Sequence, residues 1–184
     1  MSHVKDMQNH IKSAFKGRHV NTCLSITLSE IFHLHDSKEQ GKCILLESAE
    51  SEENLFKIIN TAKKEITLFA IDGCFFKRSN PQERCDSIFF DDSTFCFAEL
   101  KFDSISENEL RIENNRTKAV NQIRSTFKYF NIAFNENFLG FQLEAYVCTP
   151  EHYPRKDTAL SAFTLEFLED FGINLFETNE KTFY

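Results

Sequence analysis

Hydrophobic positions recur along this chain with different periods, and each period predicts a type of element. Near the N-terminus, weak helical spacing predicts a helix over about 26–38. Residues Lys42 to Leu46 fit either a short strand or the end of that region. A clearer helical spacing follows Ser51, which is a suitable N-cap, and predicts an amphipathic helix over 51–63.

The middle of the chain is typical of β-structure. Residues 65–71 are rich in β-favouring types and end at a turn signal, after which the stretch to Arg84 is expected to be irregular. Two apolar, aromatic-rich runs, 85–90 and 94–102, are separated by the polar residues 91–93, which predicts a β-hairpin. Both runs are nearly continuous in apolar residues, so we expect the hairpin in the centre of a sheet, covered on both faces.

In the C-terminal half the spacing of apolar residues is again helical at first, and predicted strands and helices then alternate. We predict, in order, a helix over 113–131, a strand over 142–148, a helix over 158–170 and a strand over 173–177. The fold class expected is therefore α/β, with a central mixed sheet that contains an antiparallel hairpin and is flanked by helices. We expect one domain over 1–184, with its core at about 51–150 and an N-terminal helical extension at about 1–45.

Composition narrows the class of protein. The chain has 184 residues, 41% of them hydrophobic, and its 21 phenylalanines are best explained as core. Its apolar runs are too short to cross a bilayer, and no basic-then-apolar leader opens it, so we expect a cytoplasmic protein that does not bind membranes. A net charge of −7 argues against a protein that coats nucleic acid non-specifically. A DNA substrate would require locally clustered positive charge, or a partner that supplies it.

The six cysteines show no C-x-x-C spacing, and we expect them to be reduced and buried rather than part of a zinc site or a disulfide framework. His33 and His35 form an H-x-H, but no cysteine lies nearby to complete a metal site.

Two opposite charges stand in the second arm of the predicted hairpin. Side chains at i and i+2 of a strand share a face, so Glu99 and Lys101 project together from an otherwise apolar run. Asp86 lies on the other arm. A hairpin loop of two or four residues would pair it with residue 97 or 99 on that face, whereas a three-residue loop would pair it with residue 98 unless a bulge restored the register.

This grouping has a chemical and a structural interpretation. The carboxylates of Asp86 and Glu99, with the backbone carbonyl of Leu100, make a hard oxygen site suited to Mg²⁺ or Mn²⁺. Alternatively, Glu99 and Lys101 form an ion pair on a solvent-facing edge strand. The [D/E]-x-K spacing also occurs in Asp36-Ser37-Lys38, but in a polar context without an upstream hairpin aspartate.

At this point the chain resembles the PD-(D/E)XK nuclease superfamily, whose members have a restriction-endonuclease-like fold. The resemblance lies in Asp86, the hairpin, Glu99-Leu100-Lys101 and the surrounding order of elements, and covers about 51–150. It implies that the aspartate and the glutamate bind the metal, while the lysine orients or activates the attacking water. Cys85 stands where the family name has proline.

The resemblance implies further site residues. Family members often place a glutamine, or a lysine and a glutamine one turn apart, on the following helix, and here Lys118 and Gln122 have that spacing. Members also often use an acidic residue of the first helix, which would be Glu52. The basic cluster of the chain is a candidate for binding substrate phosphates, Lys118 and Arg124 above all; its members are Arg111, Arg116, Lys118, Arg124 and Lys128.

Three functions are consistent with these patterns. The first is a metal-dependent nuclease that hydrolyses phosphodiester bonds, with DNA favoured over RNA and Mg²⁺ or Mn²⁺ as cofactor. The second is a nuclease-fold protein that has lost catalysis and serves as a binding or assembly module. The third is an unrelated α/β interaction protein. A homodimer or a protein partner is left open.

Overall fold

The computed structural model describes residues 3–48, 54–77, 83–102, 108–153 and 157–184. In these ranges the chain forms three α-helices, a short 3₁₀ turn at Val20–Cys23, and ten strands. The helices are α1 His3–Ala14, α2 Glu109–Ala133 and α3 Asp157–Phe171. The strands are β1 Leu24–Thr27, β2 Ile31–Ser37, β3 Lys42–Leu46, β4 Phe56–Asn60, β5 Ile66–Ala70, β6 Ser87–Phe90, β7 Thr94–Leu100, β8 Gln142–Cys148, β9 Asn174–Thr178 and β10 Glu180–Phe183.

The predicted hairpin lies at the centre of a six-stranded mixed sheet. Its strand order is β1-β5-β6-β7-β8-β9, in which β5, β6 and β7 pair antiparallel and β7, β8 and β9 pair parallel. Every residue of β6 is buried, as is every residue of β7 except Leu100. The prediction of a central hairpin covered on both faces is confirmed, because strands with two apolar faces need cover on both sides.

Three helices cover one face of this sheet. The stripe predicted from sequence, formed by Val120, Ile123, Phe127 and Phe130, is the buried face of α2. These side chains join apolar residues of α1, α3 and the sheet in one core cluster. Phenylalanine is the commonest type among the largest fully buried side chains, so its interpretation as core is confirmed. The expected helices at 113–131 and 158–170 and strands at 142–148 and 173–177 are likewise found, with bounds shifted by a few residues at most.

The other face is covered by a second sheet, which the sequence did not predict. This sheet has four strands in the order β10-β4-β2-β3, and its apolar side chains meet those of the central sheet in a second core cluster. The helices predicted over 26–38 and 51–63 were therefore wrong: β1 and β2 occupy the first range, and β4 lies within the second, whose residues 51–53 are outside the described ones. The burial of β4 alternates through Phe56, Ile58 and Asn60 with a period of two, which is that of a strand.

The chain is thus α/β, with mixed sheets flanked by helices. The N-terminal region expected to be a helical extension contains only one helix, α1, followed by β1, β2 and β3. β1 extends the central sheet by pairing with β5, so this region is part of the same folded unit. Among the helices that the described residues form, none has the length and apolarity needed to span a membrane.

The expectation that all six cysteines are reduced is wrong for one pair. Cys23 and Cys74 form a disulfide that links the start of β1 to the loop after β5. The other four, Cys43, Cys85, Cys96 and Cys148, are buried free thiols, as expected. Burial raises the pKa of each of these four thiols, which keeps them protonated and unreactive.

A thiol count tests this pairing. In denaturant without reductant we expect four thiols to react with a chromogenic disulfide reagent, and six after reduction. In a Cys23→Ser variant five should react without reduction, because Cys74 loses its partner. Six reactive thiols in the unreduced wild type would show that the pair is not oxidised.

Candidate metal and catalytic site

The register of the hairpin places Asp86 opposite Glu99. Phe90 pairs with Phe95 and Ser87 with Ala98, so the connecting loop has four residues and the next pair outward is Asp86 with Glu99. Asp91 fixes this loop, because its Oδ1 accepts hydrogen bonds from the backbone N–H of Ser93 at 2.8 Å and of Thr94 at 2.7 Å. Of the two-, three- and four-residue loops that the sequence allowed, the structure has the four-residue loop.

Glu99 and Lys101 face α2. Phe95 and Phe97 point into the helix-covered core. Because side chains of a strand alternate between its two faces, residues 99 and 101 point to the same side. Lys101 Nζ donates hydrogen bonds to Glu99 Oε1 and, at 3.0 Å, to Gln122 Oε1. The structure therefore brings Gln122, which the resemblance predicted as a site residue, to Lys101.

The backbone of the segment before β6 fixes the orientation of Gln122. Gln122 Nε2 donates to the carbonyl oxygen of Arg84 at 3.0 Å, so its amide oxygen is directed to Lys101. The next residue, Cys85, donates its backbone N–H to Thr126 Oγ1 at 2.8 Å. A proline at position 85 has no N–H for this bond, which gives a local reason for the departure from the family pattern.

Asp86 is held at the end of the strand by the backbone of β7. Its Oδ2 accepts a hydrogen bond from the N–H of Leu100 at 2.6 Å. Burial raises the pKa of Asp86 to about 7, and the Leu100 hydrogen bond and the charge of Lys101 oppose this rise. The carboxyl group is therefore poised to ionise near neutral pH.

Glu99 is more deeply placed and incompletely satisfied. The residue is 2% exposed, and its Oε2 is buried with no hydrogen-bond partner among the described residues. Burial and the nearby charge of Asp86 raise its pKa well above the usual range, against the attraction of Lys101. A buried carboxylate without a full set of partners is costly, and a bound cation or a proton at this position would lower that cost.

Sequence analysis missed three charged neighbours. Asp72, which lies in the turn signal that follows residues 65–71, contributes to the raised pKa values of Asp86 and Glu99. Its Oδ1 accepts from Arg84 Nε at 2.7 Å. Asp36, which belongs to the second [D/E]-x-K match, also raises the pKa of Asp86, which places the end of β2 near the site. The signal available for Asp72 was its position two residues after the buried strand β5.

The second sheet approaches the site through a close backbone contact. A Cβ added to Gly73 would lie 1.7 Å from the carbonyl oxygen of Gly41, in the turn between β2 and β3. Gly73 also has a φ of +74°, which favours glycine. Because Asp72 precedes this contact and Asp36 lies on β2, the packing of the two loops explains how sequence-distant acidic residues come together.

Most side chains of the predicted basic cluster contact other side chains of the protein. Arg116 is buried and pairs with Glu177 at 3.0 Å, and Arg124 pairs with Glu166 of α3 at 2.6 Å. Lys128 lies over the ring of Phe171. Lys118 is exposed, one turn before Gln122. The cluster does not form one surface that could face phosphates, because Arg116 and Arg124 join α2 to β9 and α3.

The described residues contain no group of three His, Cys, Asp or Glu side chains that is already arranged to hold a metal ion. Glu52, predicted as an additional acidic ligand, lies outside the described residues. A site built from the side chains of Asp86 and Glu99 would thus have two carboxylates. This number suits Mg²⁺, which commonly keeps several waters and binds one or two carboxylates.

Comparison with protein-family models, curated proteins and solved structures finds no match to this chain.

Proposed function

We propose that this protein is a metal-dependent nuclease of the PD-(D/E)XK type, which hydrolyses phosphodiester bonds in DNA in preference to RNA. The order of elements around the site supports a restriction-endonuclease-like core: β5, β6 and β7 pair antiparallel, α2 crosses over, and β8 adds parallel to β7. The alternative of an exposed ion pair on an edge strand is disfavoured, because β7 is central and Glu99 is buried.

The observation that carries the proposal is the unpartnered Oε2 of Glu99 beside Asp86. Both carboxyl groups have raised pKa values, so each resists ionisation in the protein alone. Mg²⁺ or Mn²⁺ would favour the ionised forms of both, and oxygen is the ligand type these cations prefer. The donor set therefore fits the metal that the resemblance implies.

The proposed roles of the residues agree with their contacts. Asp86 and Glu99 would hold the cation through their carboxylates, with the backbone carbonyl of Leu100 as a further ligand. When bound, such a metal lowers the pKa of water and stabilises charge on phosphoryl oxygens. Lys101 orients the attacking water and offsets negative charge on the substrate. Gln122 holds Lys101 in position through the 3.0 Å hydrogen bond.

Calorimetric titration with Mg²⁺ or Mn²⁺ tests the ligand assignment. A variant with both Asp86→Ala and Glu99→Ala should lose metal binding, because the two carboxylates supply its charged ligands. The matched control removes two carboxylates elsewhere, with Asp92→Ala and Glu113→Ala, which are exposed. The control should bind metal like the wild type. Unchanged binding in the first variant would contradict the proposed site.

A non-catalytic binding module is the second candidate, favoured by the net charge of −7. The two candidates separate in a cleavage assay on duplex, single-stranded and branched DNA with Mg²⁺ or Mn²⁺. Binding without cutting on every substrate would assign the module. A cytoplasmic location remains part of the proposal. The thiol count described above tests it, because disulfides persist mainly in oxidising compartments and an oxidised Cys23–Cys74 pair would argue against the cytoplasm.

A further inference from the structure

A cavity lies at the C-terminal ends of α1 and α2, away from the carboxylates. Its volume is about 260 Å³, and its lining includes Lys16, Arg18, Tyr129 and Ile132. Sites for whole drug-sized ligands usually measure roughly 300–1,000 Å³. The smaller volume suits one part of a longer ligand.

Arg18 is presented at this cavity on an aromatic support. Its guanidinium lies over the rings of Phe75, Phe76 and Tyr129, at 5.1, 5.7 and 5.9 Å from their centroids. The residue is nevertheless exposed, and it has no carboxylate partner among the described residues. A planar cation held in this way can stack on a nucleobase and attract a phosphate.

The surrounding segment carries the local positive charge that a nucleic-acid ligand requires. Residues 3–19 contain four basic residues and one acidic residue, a net charge of +3 in a chain whose net charge is −7. Lys16 and Arg18, both exposed, lie at the end of this segment beside the cavity. This charge lies on α1 and the segment that follows it, rather than on the predicted α2 cluster, of which Arg116 and Arg124 are paired within the protein.

A series of packed side chains links the cavity to the proposed catalytic site. Tyr129 follows Gln122 by seven residues on α2, which puts the two on nearly the same helix face, about 10.5 Å apart along the axis. Between them, the ring of Phe76 packs against that of Tyr129, with centroids 5.1 Å apart. The guanidinium of Arg84 lies over the same Phe76 ring, 5.4 Å from its centroid. The carbonyl oxygen of Arg84 in turn accepts from Gln122.

We propose that this cavity binds a single-stranded segment of the nucleic acid, a few nucleotides from the phosphate that is cleaved at the Asp86 and Glu99 site. A base stacks on the guanidinium of Arg18, and Lys16 and Arg18 attract the adjoining phosphates. Base stacking on rigid planar groups beside basic side chains is the general means by which single strands are held without sequence readout. The inference rests on the proposed function only for the identity of the neighbouring site.

Fluorescence anisotropy on the full chain tests the cavity without cleavage, since EDTA removes divalent metal. The probes are a short labelled single strand of mixed sequence and an abasic strand of equal length. The variant Lys16→Gln with Arg18→Gln should bind the normal strand roughly tenfold more weakly, with the slope of its salt dependence reduced by about 1.4, since each lost phosphate contact removes about 0.7. The matched control, Lys5→Gln with Lys12→Gln, removes two exposed charges of α1 that do not line the cavity, and it should change affinity less than about twofold.

Two further variants separate stacking and location from charge. Arg18→Lys keeps the charge but loses the planar surface, so it should weaken the normal strand roughly fivefold and leave the abasic strand nearly unchanged. Ile132→Glu adds a negative charge at a side chain that is 77% exposed, so the fold should tolerate it while strand binding falls. Retained affinity in both the Gln pair and Ile132→Glu, or an equal loss in the α1 control, would overturn the inference.

Failure of this inference and failure of the nuclease proposal give different results. A wild type that binds the strand through the cavity but does not cut it with Mg²⁺ or Mn²⁺ supports the binding site and contradicts the nuclease. If the wild type cuts and the cavity variants bind and cut as well as it does, the result contradicts the proposed cavity site but not the nuclease. A wild type that does not bind the strand at all overturns the inference.

Discussion

Lys101→Ala is expected to reduce metal-dependent cleavage by about a hundredfold to a thousandfold, the usual loss when one electrostatic stabiliser is removed from an active site. Lys101 Nζ contacts both Glu99 and Gln122, so it is the cation closest to the buried carboxylate. With metal bound, the divalent cation supplies the charge that balances Glu99. The fold and metal binding should therefore survive the substitution in the presence of Mg²⁺.

The matched control is Lys5→Ala, which removes an exposed lysine of α1. It should alter cleavage little if the effect requires a cation at the carboxylates. Cleavage rate, melting temperature and Mg²⁺ affinity are measured side by side for both variants and the wild type. If Lys101 had a purely structural role, Lys101→Ala would lower the melting temperature strongly even with metal bound. Its activity would then fall only by the fraction of the protein that is unfolded.

Asp86→Asn is expected to stabilise the metal-free protein at alkaline pH by up to about 4 kcal/mol, because the wild-type pKa is raised from 3.8 to about 7 and each unit corresponds to about 1.4 kcal/mol. The asparagine oxygen can still accept the hydrogen bond that Leu100 N–H gives to Asp86. The substitution therefore removes the cost of ionising a confined carboxyl group and keeps the local geometry.

The pH dependence of this difference follows from proton linkage. Below about pH 4 the carboxyl group is protonated in both the folded and the unfolded wild type, so the two proteins should be close in stability. Between about pH 4 and pH 7 the unfolded state releases its proton first, and the wild type loses stability relative to the variant as pH rises through this window.

Urea denaturation in EDTA at the two ends of that window measures the difference. Added Mg²⁺ should then stabilise the wild type and leave the variant nearly unchanged, since binding to the folded state alone raises its stability. A variant that is less stable than the wild type at alkaline pH without metal would refute the raised pKa. Equal Mg²⁺ stabilisation of both proteins would refute Asp86 as a ligand.

The sequence by itself determined the elements whose signals are local. The hairpin follows from two apolar runs around a polar turn, and α2 follows from the spacing of Val120, Ile123, Phe127 and Phe130. The grouping of Glu99 with Lys101 also needs only the two-residue period of a strand. These inferences depend on neighbours within a few residues, which is the range over which periodicity and turn chemistry act.

The pairing of Asp86 with Glu99 was only partly accessible. Alternation could not choose between loop lengths, and the four-residue loop depends on the hydrogen bonds that Asp91 makes to Ser93 and Thr94. The partner of Gln122 was likewise undetermined, because the helix–strand packing that brings it to Lys101 joins residues 21 positions apart.

Only the tertiary structure decided the second sheet. β4 contains apolar residues that also fit a helical spacing, but it becomes a strand because β2 and β10 supply its hydrogen-bond partners on either side. The β10 partner, Glu180–Phe183, lies more than a hundred residues away in sequence. Long-range partners of this kind override weak local preference, since a strand is stabilised by the edges and faces it meets rather than by its own residues. The same packing brought Asp36 and Asp72 to the carboxylates and bound Arg116 and Arg124 within the protein, because charge positions in space depend on which elements pack together.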